Sequence, residues 1–380
     1  MPQTRRSVVR PLGRRSHRPL SRRETAITTI AHPEPSRVSV GVDTHGEIHV
    51  ACALDQLGRR LATGQAATTP LGYRALLDWA KRLGEVEAWG VEGTGCYGAG
   101  LARFLTAHDQ VVLEVNRPDR SARRRRGKSD PVDAEAAARA VLAGQATAIP
   151  KTGSHLVEMV RCLRVARATA VKARTQAANA LRALVVTAPA ELREQLRGLP
   201  TGRLVGTVAR LRPGPILTTG AATKLALRLL GQRYQALDAE LAAVDAELDR
   251  LTVQAAPGLR QLCGVGPEIA GALLVAAGDN PQRLRSEAAF SMLCGASPIP
   301  ASSGKTVRHR LNRGGNRQAN TALYRIVVVR LRWHQPTRDY LARRTKEGLS
   351  KREIIRCLKR YVAREVFAAL QPPTVLPDAA

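Results

Sequence analysis

Aromatic side chains are scarce: Phe, Trp and Tyr make up only 3% of the 380 residues, whereas hydrophobic residues reach 44%. Cores this poor in rings are built from Ala, Leu and Val, a composition that favours helices over β-sandwiches. Cysteine is also sparse. The six residues (Cys52, Cys96, Cys162, Cys263, Cys294, Cys357) are scattered, with no Cys-x-x-Cys pair. That spacing fits neither a disulfide framework nor a zinc finger, and it makes a reducing cytoplasm the simplest home. No run of about 18 apolar residues occurs, so no spanning helix is expected, and basic residues dispersed over the whole length argue against a membrane-surface partner. Acids are the third shortage, with 31 Asp and Glu against 60 Lys and Arg, a net charge of +29. Such a chain repels itself unless a polyanion neutralises it, and nucleic acid is the usual one.

The length predicts two or three folded units. Residues 1–37, rich in Arg, Ser and Pro, read as a disordered basic arm. From Val38 the pattern is strand, turn at His45-Gly46, strand, with a third short strand over 60–66. Pro70 opens an amphipathic helix ending near Gly84. A strand over 86–92, a helix over 97–107 and a strand over 111–115 follow, giving an α/β domain with a mixed sheet over 38–150. Residues 151–256 hold two long helices, 155–187 and 222–251, joined by a Pro/Gly-rich stretch over 200–220. Their near-heptad apolar spacing predicts a long antiparallel, coiled-coil-like helical arm. A mainly helical C-terminal domain spans 257–370, and a loose tail spans 371–380.

Four acids stand out. Asp43 follows the apolar strand residues Val40 and Val42, where an unpaired carboxylate is costly unless it meets a metal or a cation. Taken alone, it is also an ordinary strand-end residue. Glu92 ends the next apolar strand between Gly90 and Gly93, or simply faces solvent there. Asp130-Pro131-Val132-Asp133 reads as a helix start, with Asp130 as the cap and Pro131 first in the helix. The same spacing puts both carboxylates at one helix end. Acids from two strands and one helix start can converge at a sheet edge and hold one or two divalent ions for phosphodiester chemistry. His45 reads as a turn residue rather than a ligand.

A second constellation is Ser302-Ser303-Gly304-Lys305, which runs into a basic segment containing Arg308, Arg310, Arg313 and Arg317. A loop serine beside cations can attack a phosphate while they stabilise its charge; an ordinary Ser/Gly loop is the plain alternative. Other candidate nucleic-acid contacts are the basic loop Arg123, Arg124, Arg125, Arg126 and Lys128, and the turn Gly264-Val265-Gly266-Pro267. That turn resembles a helix–hairpin–helix motif, in which glycine amides approach a phosphate, and is equally readable as a helix-linking turn. There is no Walker A loop and no Gly-x-Ser-x-Gly.

Taken together, Gly41-Val42-Asp43, Glu92-Gly93-Thr94-Gly95-Cys96-Tyr97, Val115-Asn116, Lys128-Ser129-Asp130-Pro131-Val132-Asp133-Ala134, Gly264-Val265-Gly266-Pro267 and Ser302-Ser303-Gly304 resemble, in order, the DEDD-type transposases of bacterial insertion sequences (family 110). The resemblance spans about residues 38–367. It implies an RNase H/RuvC-like domain whose tetrad Asp43, Glu92, Asp130 and Asp133 binds Mg2+ or Mn2+. It also implies a C-terminal transposase domain whose serine, Ser303 in preference to Ser302, links covalently to DNA. The partners it implies are DNA (element ends and target), a bridge-type noncoding RNA, and further copies of the chain as dimers joined into a tetramer, associated with the nucleoid. Where the family usually has Ser or a similar residue after the glutamate, this chain has Gly93. The alternative readings are a RuvC-like structure-specific nuclease that never uses the serine, and a non-catalytic nucleic-acid-binding protein.

Overall fold

The computed structural model describes residues 37–115, 129–153, 155–280, 283–305 and 309–371. The basic loop residues Arg123, Arg124, Arg125, Arg126 and Lys128, together with Arg308, lie outside the described residues, as do the arm through residue 36 and the tail after 371. Arg37, expected to end the arm, instead opens the first strand.

Three strands form an antiparallel meander: β1 (Arg37–Thr44), β2 (Ile48–Asp55) and β3 (Arg60–Ala67). Helix α1 (Pro70–Leu83), capped by the Thr69 hydroxyl, leads into β4 (Glu85–Glu92). Helix α2 (Ala99–Thr106) then leads into β5 (Val112–Val115). Strands β4 and β5 run parallel to β1, giving the mixed order β3-β2-β1-β4-β5. Side chains alternate across a strand, so each strand serves two layers. Val38, Val40, Val42, Trp89 and Val91 pack under α1 and α2 with Leu76, Leu77, Leu101 and Leu105. The opposite face receives α3 (Asp130–Leu142), whose Ala134 and Ala138 pack with Val50, Cys52 and Leu54.

Helix α4 (His155–Thr187) runs antiparallel to α7 (Thr219–Ala255). Val160 packs with Leu248 and Leu251, and Arg167 pairs with Asp245 at 2.5 Å. Further along, Arg174 pairs with Asp238. The connector is not the plain Pro/Gly stretch expected. It contains α5 (Ala190–Leu196) and α6 (Thr201–Val208), whose Leu192, Leu196, Leu204 and Val208 close over Leu181, Val185 and Leu227 at the end of the helix pair. Pro189 and Pro200 each precede a short helix, where a missing N–H costs nothing, so prolines that look like breakers act as starters.

The C-terminal unit packs α8 (Pro257–Gln261), α9 (Pro267–Ala277), α10 (Glu287–Leu293), α11 (Arg317–Trp333), α12 (Gln335–Lys346) and α13 (Lys351–Leu370) around Leu273, Phe290, Leu323, Ile326 and Ile354. A two-stranded hairpin, β6 (Ile299–Pro300) with β7 (His309–Arg310), projects between α10 and α11. The sheet unit meets this one at the end of α9. There Lys151 donates to the Val275 carbonyl at 2.5 Å, Arg283 donates to the Ala277 and Ile149 carbonyls, and Asn280 donates to Pro150. Carbonyls at a helix C-terminus lack intrahelical partners, so cations there satisfy them and complement the dipole. No helix among the described residues is long and apolar enough to cross a membrane.

Candidate active site

The position of the acids follows from a slot in the sheet. Gly41 on β1 lies directly beside Gly90 on β4. A Cβ at Gly41 would sit 2.1 Å from the Ala138 amide nitrogen and 2.2 Å from the Ala134 carbonyl oxygen. One at Gly90 would sit 2.9 Å from the Ala137 carbonyl oxygen. The backbone of α3 therefore rests on bare sheet, an approach that only glycine beneath and alanine above permit. By the two-residue alternation, Asp43 and Glu92 face the same side as Gly41 and Gly90, two positions along. Asp130 and Asp133 lie one turn before Ala134 and Ala137 on the same helix. One close contact thus brings three elements to a single strand end.

Asp43 is buried at 7% exposure and Asp133 at 4%, while Asp130 is exposed. Burial raises the pKa of Asp43; His45 opposes the shift, and the negative charges of Asp133 and Asp130 reinforce it. The structure thus concentrates carboxylates where their own charge is unfavourable, an arrangement that a cation relieves. His45, read from sequence as a turn residue, does sit in the β1–β2 turn but also joins the acids. Its Nε2 lies 3.2 Å from Asp43 Oδ2 and 3.4 Å from Asp130 Oδ1. Ligand atoms of Asp43, His45 and Asp130 all fall within 4.8 Å of one another, a donor set that suits a hard or borderline divalent ion. Glu92 ends the neighbouring strand, half-buried, and its carbonyl accepts the Thr44 hydroxyl at 2.9 Å.

One local detail differs from expectation. Ser129, not Asp130, occupies the cap position of α3 with extended backbone, which puts Asp130 first in the helix and Pro131 second. Gly93 adopts a φ of 65°, and a Cβ there would meet Cys96 Sγ at 2.9 Å. The turn that follows Glu92 needs glycine, so a serine at this position would be strained. His45 was the residue that sequence reasoning passed over. The missed sequence signal is the twin pattern Gly-Val-acid at 41–43 and 90–92.

Ser302, Ser303, Gly304 and Lys305 are all exposed in the hairpin loop, with Gly304 at a φ of 56°. The base of this loop is anchored from the core. Asn320 donates to the Cys294 and Gly295 carbonyls at 2.7 and 3.1 Å and accepts from the buried Lys359 ammonium at 3.0 Å. Arg310 lies on β7, and Arg313 and Arg317 are exposed beyond it. In the other candidate turn, Gly264 packs against Ile326 at a φ of 85°, while Gly266 has open space above its Cα. The Cys263 and Val265 carbonyls of that turn accept from Arg330 and Arg260. The serine loop belongs to the helical unit and the acids to the sheet unit.

A DEDD-type transposase model for insertion-sequence family 110 matches residues 40–188. A second model, described as transposase of the IS116/IS110/IS902 family, matches residues 256–342. The first match contains all four acids and the second contains the serine loop. No curated protein matches the chain.

Proposed function

The chain belongs to the IS110 family of transposases, enzymes that cut and rejoin DNA, and on that premise we propose that it works through two groups held on separate units, the acidic cluster and Ser303. The observation that carries this reading is the convergence of Asp43 and Asp130, with His45 between them, over the Gly41/Gly90 slot. Asp43, Glu92, Asp130 and Asp133 would hold Mg2+ or Mn2+ in a RuvC-like domain. Such an ion supplies charge stabilisation for the attacking and departing oxygens of a phosphodiester. Asp43 and Asp133 contribute buried negative charge fixed by the sheet and by α3, and His45 orients both Asp43 and Asp130.

Ser303 would attack the strand; its exposure, on a loop that Gly304 turns with a φ of 56°, supports that reading. Its Oγ bonds to phosphorus as one P–O bond of the strand breaks, and the departing hydroxyl takes the proton. Lys305 and Arg310 stand near enough in the loop sequence to offset phosphate charge. The seryl hydroxyl needs activation, and the sequence over 297–317 holds no carboxylate that could bring a metal to it. The acids of a second copy would provide it, within dimers joined into a tetramer. A bridge-type noncoding RNA would direct the enzyme to element ends and target by base pairing, and exposed cations would hold both nucleic acids by their phosphates.

The test is strand cleavage on an element-junction DNA with its RNA. Asp43→Asn should abolish cleavage while nucleic-acid binding and the melting curve stay close to wild type. Full cleavage by this variant would refute the assignment.

A further inference from the structure

The chain has only six Tyr and three Trp, yet Tyr324, Trp333, Tyr340 and Tyr361 fall within α11–α13. Three of them are on the surface: Trp333 is 80% exposed, and Tyr324 and Tyr361 are 47% exposed each. Exposed rings in a chain so short of them need a reason, because buried aromatic area would otherwise contribute to the core. Between these three helices lies a cleft of about 360 Å³, in the size range of ligand sites. Its floor is apolar, from Val327, Leu358 and Val362. Tyr340 and Tyr361 form its side, edge to face with ring centres 5.6 Å apart.

The rim carries guanidinium groups. Arg343 lies 5.3 Å from the Tyr340 ring centre and 3.9 Å from Glu347, and Arg364, beside the cleft, lies 5.9 Å from the Tyr361 ring centre and 3.3 Å from Glu287. Helix α12 carries Arg338, Arg343, Arg344 and Lys346 against Asp339, and Glu347 at its C-terminal end pairs with Arg343 and Arg344, leaving four cations against two acids. An apolar peptide would gain nothing from that charge, whereas a polyanion with planar rings matches both features. One wall differs. Arg330, 4% exposed, donates to the Cys263 carbonyl and pairs with Glu365 at 2.7 Å. Arg330 is thereby held in place, and the half-exposed Glu365 carboxylate retains acceptor capacity toward the cleft. A carboxylate acceptor beside stacking rings suits the exocyclic amino group of a base. Burial pushes the Tyr340 phenol up to about 12, so it stays neutral beside a phosphate.

The geometry points to a binding site for an unpaired nucleotide of single-stranded nucleic acid, with the base stacked on Tyr361 over the apolar floor and the flanking phosphates on Arg343 and Arg338. Aromatic stacking is tolerant of sequence, and cations that track the backbone complete this mode of recognition. A duplex cannot use the cleft, because its bases are already stacked. The inference rests on the chain being a nucleic-acid enzyme, and not on the acidic cluster or the serine.

The experiment is fluorescence anisotropy of the full chain with dye-labelled 12-mers: a single-stranded DNA, the same sequence as RNA, and the duplex. Tyr361→Ala should weaken binding of at least one single strand by roughly tenfold or more and leave duplex binding unchanged. Tyr361→Phe, which keeps the ring, should bind as wild type. Arg343→Ala, on an exposed side chain, should weaken the same single strand and lessen its salt dependence. Whether DNA or RNA responds identifies the source of the nucleotide, and either response supports the site. A 12-mer with photoreactive 4-thiouracil should crosslink to a peptide containing Tyr340 or Tyr361. Equal losses on single strand and duplex would overturn the proposal, as would no loss with Tyr361→Ala or crosslinks confined to other elements. Asp43→Asn should bind these probes as wild type does, which separates failure here from failure of the acidic site.

Discussion

Replacing Gly41 by Ala adds one methyl group where there is no room for it. The new Cβ would stand 2.1 Å from the Ala138 nitrogen and 2.2 Å from the Ala134 oxygen, whereas ordinary contact begins near 3.4 Å. Both neighbours are backbone atoms of α3, so no side chain can rotate away, and the helix must retreat by roughly 1.3 Å. Overpacking of this kind costs about 1–3 kcal/mol. For a domain of about a hundred residues this lowers the melting temperature by roughly 5 °C or more. The retreat also carries Asp130 and Asp133 away from Asp43. A misplacement of about 1 Å at a reacting centre costs on the order of 100-fold in rate, so cleavage should fall further than stability alone explains. Differential scanning calorimetry and single-turnover cleavage measure the two effects. Gly202→Ala is the control, since a Cβ there meets nothing within 4 Å and sits in α6, where alanine is favoured. A Gly41→Ala protein that melts and cleaves like wild type would refute the claim that this slot sets the site.

Adding Mg2+ should raise the melting temperature of wild type but not of Asp43→Asn, because a ligand that binds only the native state stabilises it. Without metal, burial holds the pKa of Asp43 above the usual 3.8, with Asp133 and Asp130 reinforcing the shift. The native state then binds the proton more tightly, so stability declines as pH rises from 3.8 through the raised value, and Asp43→Asn should flatten that decline in pH-dependent denaturation. With +29 charges, nucleic-acid affinity should drop by orders of magnitude between about 50 and 200 mM salt if six or more phosphates are contacted; a flat salt response in a filter-binding titration would contradict this. Ser303→Ala should eliminate the denaturation-resistant protein–DNA adduct on gels, and mixing it with Asp43→Asn should restore part of the cleavage. No recovery in the mixture places both groups in one chain, and adduct loss with Ser302→Ala alone moves the role one residue back.

Much of the architecture was legible because it is local. Alternating Val residues over 38–42, Thr69-Pro70 before an amphipathic run and the long apolar spacing of α4 each announce one element through the periodicity of its own backbone. The resemblance supplied the four acids and the serine as sets. The sequence alone therefore determined the basic, aromatic-poor character, the five strands of the sheet, the long helices, and which carboxylates were worth bringing together.

Tertiary structure decided what depends on distance between elements. That Gly41 and Gly90 pair across β1 and β4 follows from strand register, which neither strand encodes by itself. His45 looked like a turn residue because its partners Asp43 and Asp130 lie on a strand and on a helix 85 positions further along the chain. The stretch 200–220 looked like a linker because the apolar face of α6 acquires meaning only against Leu181 and Leu227. Tyr340 and Tyr361 sit on different helices, and no pattern within either helix shows that their rings meet over one cleft. Backbone periodicity acts over a few residues and is written in each segment, whereas the closeness of two segments is set by the shapes of both.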